Sequence, residues 1–376
     1  MKFRVERDAL ADAVAWTAKS LPNRPPVPVL AGVLLSVGDN RLEVSGFDYE
    51  VSSQIGVDVQ ADADGMILVS GRLLAEITRS LPNKPVDVAT DGSRVEITCG
   101  SARFTLPTMP VEDYPTLPEM PAGVGTVDAA GFASAVAQVA VAAGRDDTLP
   151  MLTGIRLELE RDTMTLIATD RYRLAIRELK WRPENPELTT AALVPARTLA
   201  ETARTFGSLG GEVTVALSSG GMTEGLIGFS GGGRRTTSRL LNDDFPKVRS
   251  LVPTSFASEA KVSVPALTEV VKRVSLVAER NTPVRLTFSE DGLIVEAGGS
   301  DDARASEAME CDYAGEPFTI AFNPQFLLDA LGVLEHPIAV LSFNDPKKPA
   351  VVAGATSDGD IDPGYRHVLM PVRVGA

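Results

Sequence analysis

Apolar residues recur at helical spacing in a stretch that the chain uses more than once. In Val69-Ser-Gly-Arg-Leu-Leu-Ala-Glu-Ile-Thr-Arg-Ser-Leu-Pro82, a step of about 100° per residue places Leu73, Leu74, Ile77 and Leu81 on one face. Arg72 and Arg79 then project together from the opposite face. The pattern returns at Val194-Pro-Ala-Arg-Thr-Leu-Ala-Glu-Thr-Ala-Arg-Thr-Phe-Gly207, with Leu199, Ala203 and Phe206 apolar, Arg197 and Arg204 as the basic pair, and Glu201 repeating Glu76. A third copy begins at Asn323-Pro-Gln-Phe-Leu-Leu-Asp-Ala-Leu-Gly332. It keeps an apolar face in Phe326, Leu327, Ala330 and Leu334 and puts Asp329 in the glutamate's place, but Gln325 and Gly332 replace the arginines. One exposed arginine pair is ordinary helix surface, whereas the same pair at the same spacing in two copies points to a shared role.

The intervening chain repeats as well. Val5 to Ser20 reads as an amphipathic helix with Leu10, Ala13, Val14 and Thr17 inward, stopped by the prolines after Leu21. Alternating segments at Val29 to Val37, Leu42 to Ser45 and Val51 to Val59 predict strands. After the Arg72 helix, Val86 to Thr90 and Val95 to Cys99 flank an Asp91-Gly92 turn, and Phe104-Thr-Leu106 adds a strand. Proline-rich Pro107 to Gly123 reads as a connector. A second unit opens near Thr126 with a helix carrying Phe132, Val136, Val139 and Ala143, and stays in step with the first: Pro28 with Pro150, Gly32 with Gly154, Leu35 with Leu157, Asp48 with Asp170. Asn242-Asp-Asp-Phe-Pro246 echoes Val111-Glu-Asp-Tyr-Pro115. A third unit starts near Ala260, with Leu267, Val270, Val271 and Val274 on a helix, a hairpin across Glu290-Asp-Gly292, and final strands to Val374. Each unit reads helix, strands, helix, strands, so the class is α+β, with three domains at 1–123, 124–254 and 255–376.

The net charge of −14 opposes any diffuse attraction to nucleic acid, so DNA contact would require basic residues gathered on one surface, such as the arginine faces. Aromatic residues at 5% are too few for single-strand binding by base stacking. Met-Lys-Phe-Arg-Val-Glu opens with no apolar h-region, and no run approaches the roughly 18–20 apolar residues of a membrane span, so the expected compartment is the cytosol. Cys99 and Cys311 are read as reduced, half-buried core residues. His336 and His367 lack a partner at ligand spacing, and no metal or cofactor is expected. Gly231-Gly-Gly-Arg-Arg235 lacks the Lys-Ser ending of a phosphate loop and reads as a hairpin end. Asp48 and Asp170 invite a hydrolase reading, but they hold equivalent places in separate units, where a turn-forming role repeats naturally.

Leu166-Ile-Ala-Thr-Asp-Arg-Tyr-Arg-Leu-Ala175, the Val-Pro-Ala-Arg197 helix start, Asp244-Phe-Pro246 and Val368-Leu-Met-Pro-Val-Arg373 closely resemble the bacterial DNA polymerase III beta subunit, the sliding-clamp family. The likeness covers essentially the whole chain. It implies three tandem clamp domains, each with two helices and antiparallel sheets, in a head-to-tail homodimer whose six domains form a ring. Such a protein is a non-enzymatic processivity factor, cytoplasmic and nucleoid-associated. It encircles duplex DNA without sequence preference and tethers the replicative DNA polymerase alpha subunit, the clamp-loader complex and other proteins bearing a clamp-binding motif.

The same resemblance implies site residues. The partner-peptide groove, between domains 2 and 3, would be lined by Leu152, Thr169, Arg171, Tyr172, Arg173, Leu174, Pro246, Leu251, Val368, Met370 and Arg373. DNA contacts would come from Arg24, Arg72, Arg79, Arg197 and Arg204, with Lys272 and Arg273 added from spacing. Phe104 and Leu106 of one chain would meet the region of Leu276 on the other. The sequence departs from the family at Arg171-Tyr172, where a glycine followed by histidine or tyrosine is more usual, and in the Val374-Gly-Ala376 tail. A tandem-repeat scaffold that binds only proteins is the alternative.

Overall fold

The computed structural model describes all residues except 23, 219–224, 243, 280–281, 299–302 and 374–376, so the Val374-Gly-Ala376 tail lies outside the described residues. The chain divides into two compact units, Met1–Asp128 with Leu209–Leu240, and Ala129–Ser208 with Leu241–Ala376. The middle third of the sequence is therefore shared between them. The cause is long-range strand pairing: Val51–Asp58 pairs with Arg234–Arg239, and Arg173–Lys180 pairs with Tyr365–Leu369.

In the first unit, one sheet has the strand order Gln60–Ala63, Lys2–Val5, Val86–Asp91, Arg94–Cys99, Ala102–Pro107. In the other, eight strands of this unit lie side by side: Gly123–Asp128, Glu212–Leu217, Leu226–Gly231, Arg234–Arg239, Val51–Asp58, Arg41–Phe47, Gly32–Gly38, Gly65–Ser70. Helices α1 (Arg7–Lys19) and α2 (Gly71–Ser80) share a core with both sheets through Leu10, Ala13, Val14, Leu74 and Ile77. The expected face of α2 needs one correction. Leu73 is 43% exposed, and the buried stripe is Gly71, Leu74, Ala75, Ile77 and Thr78. Thr78 takes the inward place because its hydroxyl donates to the Leu74 carbonyl at 2.9 Å.

In the second unit, nine strands run in the order Thr189–Pro195, Gly154–Glu160, Thr163–Thr169, Arg173–Lys180, Tyr365–Leu369, Ala350–Ala355, Ile338–Phe343, Ser258–Ser263, Asp312–Ala314. A four-stranded sheet (Arg304–Met309, Gly292–Gly298, Val284–Ser289, Phe318–Phe322) completes it. This unit holds α3 (Ala129–Ala140), most of α4 (Ala196–Leu209), α5 (Val264–Val274) and α6 (Pro324–Gly332). The Leu267, Val270, Val271 and Val274 stripe is buried as its spacing predicts, while in α6 Leu327 and Ala330 are buried and Phe326 only half-buried, as is Leu334 just past the helix end. The last strand ends at Leu369, short of the expected Val374, because Pro371 cannot donate to a ladder.

The repeat is visible in the backbone. Asp48 Oδ1 accepts from the Glu50 and Val51 amides at 3.0 and 2.7 Å, and Asp170 Oδ1 accepts from the Tyr172 and Arg173 amides, both at 3.0 Å. Each turn drives the next residue into the left-handed region, Tyr49 at φ 76° and Arg171 at φ 80°. Both aspartates are turn formers, which removes the basis for the hydrolase reading. Gly232 and Gly233, at φ 54° and 76°, close the hairpin of Leu226–Gly231 and Arg234–Arg239 as expected. Cys99 is fully buried, not half-buried, with its thiol 3.3 Å from the Pro82 and Lys84 carbonyls. Cys311 is half-buried, and burial pushes its thiol up to about 11.

Candidate peptide groove and DNA-facing residues

Strand alternation builds the groove. On Arg173–Lys180 and Tyr365–Leu369 the paired residues are Arg173 with Leu369, Leu174 with Val368, Ala175 with His367 and Ile176 with Arg366. Neighbouring residues point to opposite faces. Arg173, Ala175, Tyr365, His367 and Leu369 turn toward the helices: the Tyr365 hydroxyl donates to the Gln138 carbonyl of α3 at 3.2 Å and lies 3.0 Å from His367 Nδ1. His367 is fully buried, and its pKa is lowered to about 3 chiefly by burial and secondarily by Arg173. Leu174, Ile176 and Val368 turn the other way, into an apolar cluster with Ile167, Val248 and Val351, against which Phe245 and Val252 pack.

The predicted groove residues fall into three groups. Leu152, Thr169, Leu174 and Val368 are deep, at 7% exposure or less. Tyr172, Leu251 and Met370 present large apolar surface, at 55%, 55% and 41%, and Arg171, Pro246 and Arg373 are exposed beside them in the sequence. Thr169 holds the turn, donating from Oγ1 to the Arg173 carbonyl at 2.7 Å and accepting from the Arg171 amide at 3.2 Å. The Met370 amide donates to the Tyr172 carbonyl at 2.9 Å, bringing two of the exposed residues together, and the Tyr172 ring stacks on Phe326 with centroids 6.3 Å apart.

Arg173 is engaged inside the unit. It is 6% exposed, with Nε 3.0 Å from Asp170 Oδ2, Nη1 2.6 Å from Asp329 Oδ2, and the guanidinium 4.4 Å from the Phe326 centroid. Gln325 donates to the other Asp329 oxygen at 2.7 Å. The arginine is committed to internal carboxylates and fastens α6 to the groove strand. Sequence reasoning missed Ile167, Ile176, Phe245, Val248, Val351 and Phe326. The available signal was period-two alternation from Leu174 to Ile176, and Phe245 inside the recognised Asp244-Phe-Pro246 motif.

The proposed DNA-contacting residues Arg24, Arg72, Arg79, Arg197, Arg204, Lys272 and Arg273 are all exposed. Several are partnered. Arg197 Nε lies 3.5 Å from Glu201 and Lys272 3.0 Å from Glu269, while Arg273 makes a two-pronged pair with Glu307 at 3.1 and 2.6 Å. Glu307 raises the Arg273 pKa and is itself lowered by it. Leu276 is 84% exposed. Leu106, however, is 3% exposed and belongs to the first unit's own core, with half-buried Phe104 packed against the same core. It packs there because residues 104 and 106 share the inward face of Ala102–Pro107. Among the described residues no group of three or more metal-ligating side chains occurs, and no helix is long and apolar enough to cross a membrane.

Comparison with known proteins matches the DNA polymerase III beta subunit N-terminal domain to residues 1–118, its central domain to 126–247 and its C-terminal domain to 249–373. The beta sliding clamp of Streptomyces coelicolor is 56% identical over 375 residues, covering all of both chains. That of Micrococcus luteus is 52% identical over 311 residues, 83% of this chain and 99% of its own. The Pseudomonas aeruginosa sliding clamp, solved bound to griselimycin, superposes with a TM-score of 0.91 at 28% identity over the full length of both chains. Three domain matches in tandem and a full-length identity of 56% place the chain in the DNA polymerase III beta subunit family, the bacterial beta sliding clamps.

Proposed function

We propose that two copies of this chain join head to tail into a six-domain ring that encloses duplex DNA and slides along it. The ring tethers the replicative polymerase alpha subunit, the clamp loader and other motif-bearing proteins through the groove over Leu174 and Val368. The observation that carries the reading is the exposed arginine pair on α2 and again on α4 in a chain of net charge −14. A protein so acidic holds DNA best by enclosure, with basic helices lining the hole and weak contacts that permit sliding. The chain carries out no reaction of its own and works in the cytoplasm, at the nucleoid.

The test is retention on two DNA topologies. The protein is loaded with clamp loader and ATP on a nicked circle, which is then cut. Retention on circles through a high-salt wash, with release on linearisation, is expected. Release that follows salt and ignores topology would contradict enclosure. Reversing Arg72, Arg79, Arg197 and Arg204 to glutamate should abolish retention while leaving folding and dimerisation intact.

A further inference from the structure

Beside the groove, on the sheet face that turns away from the helices, lies a cavity of about 510 Å³. Its apolar lining includes Ile176, Val351 and Ala353 from the strands, with Phe256 and Ile361 beside them at 40% and 43% exposure. Ile176, Val351 and Val252 also belong to the apolar cluster under the groove, so the two surfaces share one floor. Leu174 and Ile176 are two residues apart on one strand, a separation of about 7 Å. An extended peptide crosses that distance in two residues.

The charges at the cavity are unevenly satisfied. Arg249 is paired with Glu158 and Asp362 with Arg177. Glu178 and Arg366, two positions farther along the strand and directly across the ladder from Ile176 respectively, have no ion pair among the described residues. They offer an acceptor for a peptide N–H and a donor for a peptide C=O.

We propose that the groove continues into this cavity and that its occupant is the flank of the partner's own clamp-binding segment. That flank is an extended stretch carrying a large apolar side chain two to four residues beyond the groove anchor. The proposal rests on the groove reading above. A bare cavity of this size with exposed Phe256 and Ile361 is the kind of apolar hole, with a few polar groups, that anchors a peptide side chain. The cavity makes the site longer than the motif and lets flanking residues set selectivity among partners.

The experiment measures fluorescence anisotropy of labelled peptides with the full chain. One peptide carries only the hydrophobic clamp-binding motif of the same organism's replicative polymerase. Two others extend it by six native residues, one at each end. One extended peptide should bind on the order of tenfold tighter than the short one, as expected for burying one large apolar side chain. In the double variant Phe256→Ala/Ile361→Ala that advantage should vanish, while the short peptide's unchanged affinity shows that fold and groove are intact. Arg366→Glu should remove part of the same advantage. Equal binding of all three peptides to the natural chain, or equal weakening of all three in the double variant, overturns the extension and leaves the groove standing. If none of the peptides binds, the groove reading falls and the extension with it.

Discussion

The chain builds the same strand, turn and strand twice, 122 residues apart, and finishes the two copies with opposite chemistry. In the first unit, Ser52 and Gln54 hold the places that Leu174 and Ile176 hold in the second, and Thr237 stands where Val368 does. Ser52 and Thr237 hydroxyls meet at 2.6 Å, and the Thr236 hydroxyl donates to the Ser52 carbonyl at 2.7 Å, so polar groups satisfy one another. Nearby, the connector folds back on its own unit: Tyr114 is buried with Val29, Phe47 and Leu68, and its hydroxyl accepts from the Phe47 amide at 2.8 Å. In the second unit the corresponding Phe245 has no hydroxyl, and it packs on an apolar floor beside exposed Tyr172, Leu251 and Met370. One scaffold thus yields a closed polar seam and an apolar face with exposed large side chains beside it, and a handful of side chains decides which.

The largest effect should follow from writing the first seam onto the second. Leu174→Thr with Val368→Thr removes two apolar anchors, and peptide affinity measured by anisotropy should fall about a hundredfold or more. Undiminished binding would show that the apolar pair does not distinguish the copies. Next comes Arg173→Met, which leaves Asp170 and Asp329 without their shared cation. Breaking a buried ion-paired cluster costs about 3 kcal/mol, discounted here to about 2 because the carboxylates are 15% and 21% exposed. A thermal melt should show the loss, and Asp329→Asn should show a smaller one.

Most of this comparison could be read from sequence only in outline. The repeat was legible because Pro28, Gly32, Leu35 and Asp48 recur without a gap, and because the helical stripes obey a fixed period. The joining of Val51–Asp58 to Arg234–Arg239 was not, since partners about 180 residues apart leave no local signal. Nor was the choice of groove residues complete. Ile167, Leu174, Ile176 and Val368 lie in runs that are apolar on both faces, so hydrophobicity alone cannot say which side is floor and which is core. That Arg173, placed with the groove lining, is held by an internal carboxylate has no local signal, because its partner Asp329 arrives from α6, far along the chain. Arg171 departs from the family's glycine, and its backbone shows why glycine is usual there: φ is 80°, a region that side chains with a Cβ enter at a cost.

A pH titration sharpens the contrast between Tyr114 and Phe245. Burial pushes the Tyr114 phenol up from 10.0 to about 12, so the folded state holds its proton more tightly than the unfolded chain. This stability is complete below pH 10 and is lost as pH rises toward 12, at about 1 kcal/mol per pH unit. Tyr114→Phe should flatten part of that alkaline loss while lowering stability near neutrality by about 1 kcal/mol through the missing hydrogen bond. An unchanged alkaline limb in that variant would show that another group carries it.

Two smaller changes probe the seam and the turn. Ser52→Ala leaves the Thr237 hydroxyl without its partner and should cost about 1 kcal/mol, with much of it recovered in Ser52→Ala/Thr237→Val. Additive losses in that cycle would mean the two hydroxyls do not act as a pair. Arg171→Gly relieves left-handed strain of about 1 kcal/mol but gives the unfolded chain more freedom, so the melting temperature should move little. A large drop would assign Arg171 a packing role beyond the turn.

The most direct measurement of the contrast is hydrogen exchange of the full chain with saturating polymerase motif peptide, together with the binding stoichiometry. One peptide should bind per chain, with new protection confined to the strands around Leu174 to Glu178 and Val368 to Met370 and to the segment from Phe245 to Leu251. The strands around Val51 to Gln54 and Thr236 to Ser238 should exchange as they do without peptide. Protection at those first-unit strands, or two peptides per chain, would contradict the claim that only one copy of the scaffold is an open docking face.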